Sequence, residues 1–485
     1  MDRKIGMRLF ALLLCAAMLA GCAGQPKKDG TASLLDPEKP LTITVWNYYN
    51  GQQLAAFNEI VEQFNTTQGR ELGIVVESYS QGSVSDLETN VLAAARGQAG
   101  AEKIPNIFAA YVDSAYALNK MGMVADVSPY LSEEEQKLYI DSYIEEGRFA
   151  EADSIKIFPM AKSTEVFILN ETDWQKFAAA TGASYSDFAT MEGLVATAER
   201  YYNWTDSLTP DVPDDGKAFF GRDAMANYML IGAMQLGTEL FSVSDGKMTL
   251  NFDRDTVRKL WDNYYVPFVQ GYFAASGRFR SDDIKTGHII ALVGSSSGAT
   301  FFPKQVIVSD TESYDIQSRV LPVPQFAGNR AYAVQQGAGM VVTKGTDAEV
   351  YASVQFLKWM TQGEHNVTFA TSSGYLPVTW EANDMDYIRA QVPELSGMME
   401  EILTVGVETV HDNTMYTPKA FANGADARQV LEYSLQDQAK ADRDAVEAAM
   451  AEGVSREEAC APYLTDAQFD AWYTQTLAKL QKLEG

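Results

Sequence analysis

The chain is constrained most by a regular alternation of strand-like and helix-like segments that begins at Leu41. Residues 41–46 alternate between apolar and polar side chains as a strand does, and residues 55–64 place apolar side chains at the spacing of one helix face. The alternation continues with predicted strands at 73–77 and 104–110 and predicted helices at 87–95 and 115–120. This order predicts a doubly wound α/β layer.

The carboxyl ends of these strands are rich in aromatic and polar residues. Ligands of open α/β sheets bind outside the carboxyl ends of the strands. Trp46 and Tyr48 lie at the end of the first predicted strand, and Tyr111 follows the third. We therefore predict that these three side chains contact a ligand, with packing in the core as the alternative for each of them.

The rest of the chain continues the mixed pattern. We predict strands at 158–170, 289–293 and 339–343, and helices at 223–240, 255–270, 348–361, 425–451 and 465–483. The sequence contains no internal repeat. Without its N-terminal segment the chain has about 460 residues, which is more than one hydrophobic core usually supports.

The N-terminus has the layout of a secretory signal. Basic residues precede the apolar stretch 9–19, which is shorter than the roughly 20 residues that a membrane-spanning helix needs. The following sequence LAGC resembles the lipobox of lipoproteins, so we predict a signal peptide at 1–21 and lipidation of Cys22. An ordinary signal peptide with an incidental cysteine is the alternative. Residues 22–40 are polar and predict a flexible tether to the membrane surface.

Charge and cysteine content exclude several function classes. The formal net charge of −27 argues against a nucleic-acid partner, because phosphate backbones require a basic surface. Of the three cysteines only Cys460 remains after signal removal and lipidation, so no intrachain disulfide is expected. The sequence has three histidines and no Cys/His spacing typical of zinc sites, so we expect no metal and no cofactor.

A series of short motifs runs nearly from end to end of the chain. They are TITVW at 42–46, IPNIF at 104–108, the segment 159–170, GAGMVVTK at 337–344, FLKWM at 356–360 and GYLPV at 374–378. In this order and spacing they resemble the family 1 extracellular solute-binding proteins, the sugar-type receptors of ABC importers.

This resemblance implies an α/β, two-lobed periplasmic-binding-protein-like fold with hinge-connected, doubly wound lobes. Three crossings are expected near 159–165, 330–336 and 374–378. Lobe one then comprises 41–158 with 335–373, and lobe two comprises 159–334 with 374–485. The implied protein is a monomer without catalytic activity on the outer face of the cell membrane. It closes its lobes around a small polar solute and delivers that solute to the membrane permease subunits.

The motifs at 337–344 and 374–378 most resemble the glycerol-3-phosphate-binding branch of that family. The resemblance implies ligand contacts from Ser163, Thr164, Ser296, Ser297, Gly337, Tyr375 and Arg428. Val84 replaces an expected tyrosine, and Val112 replaces an expected acid, for which Asp113 is the substitute. A sugar would use the aromatic side chains, whereas a phosphate would use Arg428 with serine hydroxyl groups. Both ligand classes therefore remain open.

One motif offers an enzymatic alternative. The sequence GSSSG at 294–298 fits the nucleophile elbow of hydrolases, which would make Ser296 a nucleophile and His365 or His411 its base. The elbow requires a helix directly after the serine, and Pro303 would interrupt such a helix. A lipid-anchored hydrolase is therefore the weaker hypothesis. A surface sensor or adhesin that reuses the binding fold is the third.

Overall fold

A computed structural model describes residues 34–149, 153–244, 246–328 and 331–484. The predicted signal peptide 1–21, the predicted lipidation residue Cys22 and the first part of the predicted tether lie outside the described residues. None of the helices in the described ranges has the length and apolar character needed to cross a membrane.

Fourteen strands are present in the described residues. In chain order they are β1 (Leu41–Asn47), β2 (Ile74–Ser80), β3 (Ile107–Ala110), β4 (Glu165–Asn170), β5 (Phe220–Arg222), β6 (Phe241–Ser244), β7 (Lys247–Leu250), β8 (Ala291–Ser295), β9 (Gln305–Ser309), β10 (Glu312–Asp315), β11 (Ser318–Leu321), β12 (Tyr332–Val334), β13 (Gly339–Val342) and β14 (Thr414–Tyr416).

The helices of the described ranges alternate with these strands. They are α1 (Gly51–Thr66), α2 (Gln68–Leu72), α3 (Val84–Ala95), α4 (Val112–Lys120), α5 (Glu133–Gln136), α6 (Asp141–Glu145), α7 (Glu171–Thr181), α8 (Met191–Asp206), α9 (Met225–Gln235), α10 (Arg254–Val269), α11 (Arg280–Lys285), α12 (Ser296–Ala299), α13 (Asp347–Met360), α14 (Gly363–Ser373), α15 (Met385–Gln391), α16 (Gly397–Asp412), α17 (Gly424–Ala451), α18 (Arg456–Cys460) and α19 (Asp466–Gln481).

Lobe one is built on a four-stranded sheet in the order β13-β3-β1-β2. Strand β1 runs parallel to both β2 and β3, whereas β13 is antiparallel to β3. Helix α1 buries the apolar face that its sequence spacing predicts, including Phe57 and Phe64. Ring-to-ring contacts join these two side chains to Phe356 of α13. Each buried ring contributes about 1.5–3 kcal/mol of stabilisation.

Lobe two is built on a second four-stranded sheet, in the order β11-β4-β8-β5. All six residues of β4 are buried because the strand is covered on both faces. Successive side chains of a strand point to opposite faces. Phe167 and Leu169 accordingly pack in one hydrophobic core, whereas Val166 and Ile168 pack in another. The sequence of such a strand is a continuous apolar run and does not alternate between apolar and polar residues.

Three chain segments between the lobes lie side by side and share backbone hydrogen bonds. The amide of Lys162 donates to the carbonyl of Leu376 over 3.2 Å, and the amide of Leu376 donates back over 2.6 Å. Ser163 and Gln336 exchange a second such pair, at 2.9 and 2.8 Å. The segments are therefore connected laterally where they pass from one sheet to the other.

Gly337 permits the close approach of two of these segments. Its φ angle is +85°, in the left-handed region that favours glycine. A β-carbon added here would lie 3.0 Å from the Ala161 carbonyl oxygen and 3.2 Å from the Ser163 amide nitrogen. A larger residue at 337 would therefore push the first two crossing segments apart.

The segment after the third crossing packs against both lobes. The sequence assigns everything from residue 374 onwards to lobe two. In the structure, however, Leu376, Val378 and Ile388 belong to the core of lobe one. Helix α16 divides its contacts between the lobes, with Leu403 in the core of lobe one and Ile402 in a core of lobe two. The sequence does not predict this division between the lobes, because the spacing of apolar residues does not indicate in which core the apolar face of a helix packs.

Candidate functional site

A cavity of about 480 Å³ lies between the two lobes. Helices α3 and α4 line it from lobe one, and helices α9 and α17 line it from lobe two. Strand β12 and the residues that follow it complete the wall beside the crossings. Both lobes therefore contribute side chains to the same cavity.

A wider polar cleft of about 1380 Å³ adjoins this cavity. The two spaces share the wall residues Val112, Glu146, Gln335, Tyr416, Thr417 and Pro418. The cleft is lined by the outer residues of α4 and by the segment 415–420. A solute that fills the cavity can therefore extend outwards between the lobes.

Lobe one presents a tyrosine and an aspartate at the start of α4. Tyr111 lies between β3 and α4 and is 38% exposed, and Asp113 lies in the first helical turn. The Asp113 carboxylate packs so closely against α17 that a β-carbon on Gly424 would lie 2.3 Å from its Oδ1 atom. Burial raises the pKa of Asp113 to about 6, although the positive charge of Arg428 opposes this shift.

Lobe two holds Arg428 in place through a chain of hydrogen bonds. Arg222 donates to both carboxylate oxygens of Glu165, at 2.9 and 2.8 Å. The Asn227 side-chain amide donates to the same carboxylate over 2.9 Å, and its oxygen accepts from Arg428 Nη2 over 2.7 Å. A buried ion pair at the sheet therefore fixes the amide that orients Arg428.

A carboxylate of the protein itself occupies the N-terminus of α9. Glu432 accepts hydrogen bonds from the backbone amides of Met225 at 3.1 Å and Ala226 at 2.8 Å. Free amides at a helix N-terminus ordinarily attract anions. Here the protein has filled that position itself, next to Ala224 with its positive φ of +52°.

A group of tyrosines lies beside the third crossing. The hydroxyl groups of Tyr48 and Tyr375 are 3.2 Å apart, and the Tyr375 ring stacks on Phe369. Burial raises the pKa of Tyr48 and of Tyr375 well above the usual range, and the Tyr48 hydroxyl raises that of Tyr111. These hydroxyl groups therefore remain neutral hydrogen-bond donors at physiological pH.

The predicted contact residues fall into separate places. Tyr111, Asp113 and Arg428 line the cavity between the lobes. Tyr48 and Tyr375 lie beside the third crossing with their hydroxyl groups in contact, and Ser297 lies close to Gly374 of the same crossing. The predicted contacts of all these residues with a ligand stay predictions.

The other predicted contact residues lie in the crossings or are buried inside a lobe. Ser163 and Gly337 belong to the hydrogen-bonded crossings, and Thr164 Oγ1 donates to the Val334 carbonyl over 2.9 Å. Ser296 is fully buried, and its hydroxyl has no hydrogen-bond partner in the described part of the chain. Trp46 is 4% exposed and packs in the core of lobe one. None of these five side chains lines the cavity.

The charged and polar residues of the cavity that the sequence analysis did not identify include Glu88, Glu146, Asn227 and Glu432. Glu432 follows Arg428 by four residues on a predicted helix, so the spacing placed both on one face. Nothing local distinguishes the other three among the 65 acidic residues and the many amides of the chain. Their common feature is a position on the cavity wall, which arises only when the lobes come together.

Neither His365 nor His411 hydrogen-bonds Ser296, whose hydroxyl has no partner among the described residues. His365 stacks on Trp359 in lobe one with ring centroids 3.7 Å apart, and His411 Nε2 lies 2.8 Å from the Asn383 carbonyl oxygen. The helix after the GSSSG turn, α12, ends at Ala299 after four residues. Within the described ranges, no histidine is therefore hydrogen-bonded to the Ser296 hydroxyl as the base of a nucleophile elbow would be. Among the residues with described positions, no group of three or more potential ligands is arranged to hold a metal ion.

Comparison with known proteins identifies the family of this chain. A family model described as bacterial extracellular solute-binding protein matches residues 59–394, which is more than half of the chain. A sequence search of curated proteins found no match.

Several solved structures share the fold. The cyclic alpha-maltosyl-1,6-maltose binding protein from Arthrobacter globiformis aligns with a TM-score of 0.65 at 16% identity, over 91% of this chain and 100% of that chain. UgpB from Mycobacterium tuberculosis, in complex with glycerophosphocholine, aligns with a TM-score of 0.67 at 17% identity, over 91% and 98%. A maltotriose binding protein from Thermus thermophilus aligns with a TM-score of 0.59 at 14% identity, over 91% and 100%. These likenesses confirm the predicted fold class.

Proposed function

The chain belongs to the bacterial extracellular solute-binding proteins, as its motifs predict, and we propose that it captures a carbohydrate or a glycerophosphate-type solute for an ABC importer. It is a binding protein rather than an enzyme, as are its family and its structural neighbours. The observation that carries the proposal is the cavity between the lobes, to which both lobes contribute side chains.

The size and lining of this cavity suit a small polar solute. Ligand sites usually occupy about 300–1,000 Å³, and this cavity has about 480 Å³. The rings of Tyr111, Tyr416 and Phe421 provide flat faces for the C–H surfaces of a sugar. Arg428 provides donors for hydroxyl or phosphate oxygens. The adjoining cleft gives room for the further units of an oligosaccharide.

The crossings support a mechanism in which the lobes close around the solute. Hinge motions of two-domain binding proteins concentrate their backbone changes in a few connecting residues. Here the connections are short, and they share hydrogen bonds at Lys162, Gln336 and Leu376. Rotation about these residues would change the distance between Asp113 on α4 and Arg428 on α17. The solute would then be released to the permease when the lobes open.

Membrane attachment is tested by replacing the proposed lipidation residue. Cys22→Ala removes the only thiol of the LAGC motif, so we expect the protein to be found in the soluble fraction instead of the membrane fraction. The measurement is fractionation of cells that express either form. Cys460→Ala is the matched control, because Cys460 is buried in lobe two. Membrane association of Cys22→Ala equal to that of the parent would contradict the proposed anchor.

Solute capture is tested by thermal unfolding of the purified protein with a panel of compounds. A ligand at about a hundred times its dissociation constant should add about 2.7 kcal/mol of stability, which gives a measurable rise in Tm. The panel contains glycerol 3-phosphate, glycerophosphodiesters and sugars from mono- to oligosaccharides. We expect at least one of these compounds to raise Tm, and Arg428→Ala to reduce that rise.

Arg70→Ala is the control for this substitution, because Arg70 is an exposed cation of α2 in lobe one. A rise in Tm that Arg428→Ala and Arg70→Ala leave equally intact would place the solute outside the cavity. Absence of any shift across the panel would overturn the proposed solute classes.

A further inference from the structure

The cavity between the lobes carries an excess of negative charge. Four carboxylates line it, those of Glu88, Asp113, Glu146 and Glu432, whereas Arg428 is the only cationic side chain in the described part of its wall. Two of the carboxylates are compensated, because Glu146 pairs with the buried Lys162 and Glu432 caps α9.

The other two carboxylates have no close counter-charge. No lysine, arginine or histidine of the described residues lies within 4.0 Å of Glu88 or Asp113. Glu88 accepts a hydrogen bond from the Ser114 hydroxyl, and Arg428 acts on Asp113 only from beyond ion-pair distance. Carboxylates that are partly removed from water without a partner are costly. A cation supplied by the solute would remove that cost.

An unpaired acceptor on the wall also favours a solute that donates hydrogen bonds. The side-chain oxygen of Gln336 is buried and has no hydrogen-bond partner in the described ranges, and Gln336 lines the cavity. Buried acceptors are almost always satisfied in folded proteins, so an orphaned one indicates a missing partner. Glu88, Asp113 and Gln336 therefore provide the wall with both charged and neutral acceptors.

Aromatic side chains complete a site with affinity for cations. The wall contains the rings of Tyr111, Phe241, Tyr416, Phe421 and Tyr433. The face of an aromatic ring attracts an ammonium group through its quadrupole. Aromatic faces and carboxylates side by side can therefore both stabilise a bound ammonium group.

A solute that carries only negative charge fits this wall poorly. Glu432 already occupies the amides at the N-terminus of α9, so that position is closed to a phosphate. Arg428 is the single cation among the described residues of the wall, and one of its N–H groups donates to Asn227. A phosphate bound there would also face Glu88 and Asp113 across a space of about 480 Å³.

We propose that the cavity binds the ammonium group of a positively charged or zwitterionic solute, between Glu88, Asp113 and the aromatic wall. The inference rests on the proposed function and narrows its solute class. Two sources share this chemistry, namely an amino sugar and a glycerophosphodiester that carries an ammonium group. In the second, Arg428 would contact the phosphodiester while the carboxylates hold the ammonium.

Matched pairs of solutes test the proposal by isothermal titration calorimetry of the purified protein at pH 7. The pairs are glucosamine with glucose, and glycerophosphocholine with glycerophosphoglycerol. In at least one pair we expect the ammonium-bearing member to bind at least about tenfold more tightly, the scale of a partly buried charge pair. The pair that shows the preference identifies the source of the ammonium group.

Variants then test which residues cause the preference for the ammonium-bearing solute. Asp113→Asn and Glu88→Gln each remove one negative charge with little change of shape, so each should reduce the ratio of affinities within the pair. Glu59→Gln, an exposed residue of α1, is the control and should leave the ratio unchanged. Equal or tighter binding of the member without ammonium in both pairs would overturn the inference while the proposed function stands. Binding of no compound in either pair would also overturn the inference, whereas the proposed function is decided by the wider panel of the thermal unfolding experiment.

The pH dependence of glycerophosphocholine binding provides a second test, because its quaternary ammonium stays charged. Asp113 has a pKa of about 6 and faces Glu88 on α3, Arg428 and Glu432 on α17, and Glu146 after α6. Protonation of Asp113 removes a counter-charge, so affinity should fall as the pH is lowered from 7.5 to 5. Asp113→Asn should reduce this fall. A pH dependence that is unchanged in Asp113→Asn would contradict the role of Asp113.

Discussion

Replacing Glu146 by alanine is expected to lower the free energy of unfolding by about 3–5 kcal/mol, because it leaves a buried ammonium without a counter-charge. Lys162 is fully buried at the first crossing. Its ammonium pairs with the Glu146 carboxylate and donates to the Gly337 carbonyl over 2.6 Å. Loss of the carboxylate removes one of these two partners. The measurement is urea unfolding followed by circular dichroism.

Two further variants separate the charge from other effects of this substitution. Glu145→Ala is the matched control, because the neighbouring Glu145 is 64% exposed and forms a surface ion pair with Arg148. The double variant Lys162→Met with Glu146→Leu removes both charges and should recover most of the lost stability, since a buried pair is often replaceable by apolar side chains. A double variant less stable than Glu146→Ala would refute this explanation.

Replacing Glu165 by alanine is also expected to lower the free energy of unfolding by about 3–5 kcal/mol, because it leaves the buried Arg222 at the sheet of lobe two without a counter-charge. Arg222 is 4% exposed and donates to both oxygens of Glu165, which is itself 7% exposed. The substitution also releases the Asn227 amide that holds Arg428. Urea unfolding should therefore show the loss of stability, and calorimetry should show weaker solute binding.

The double variant Glu165→Leu with Arg222→Met distinguishes the two consequences. It removes the unpaired charge, so stability should return, but Asn227 still lacks its acceptor and solute binding should stay weak. Recovery of both properties together would show that the hydrogen-bond chain from Glu165 to Arg428 has no part in binding.

Local structure was predictable where apolar spacing is a property of neighbouring residues. The predicted strand 41–46 is β1, which ends one residue later, and the predicted helix 348–361 is α13, which begins and ends one residue earlier. The predicted strand 158–170 was too long, since only 165–170 forms β4. Residues 158–161 are also apolar, but the segment 158–164 forms isolated bridges with β13 at Phe158 and with the other two crossings at Lys162 and Ser163. A strand and a crossing therefore look alike in sequence.

The sequence by itself determined the α/β class, the positions of the main elements and the family, because periodicity and short motifs are carried by residues close together along the chain. Only the tertiary structure decided which side chains share the cavity. Trp46 and Tyr111 both follow predicted strands, yet the first is enclosed in the core and the second lines the cavity. Glu88, Asp113 and Arg428 meet there because the crossings bring α3, α4 and α17 together. The charge of a site is a sum over such distant residues, so no local pattern can report it.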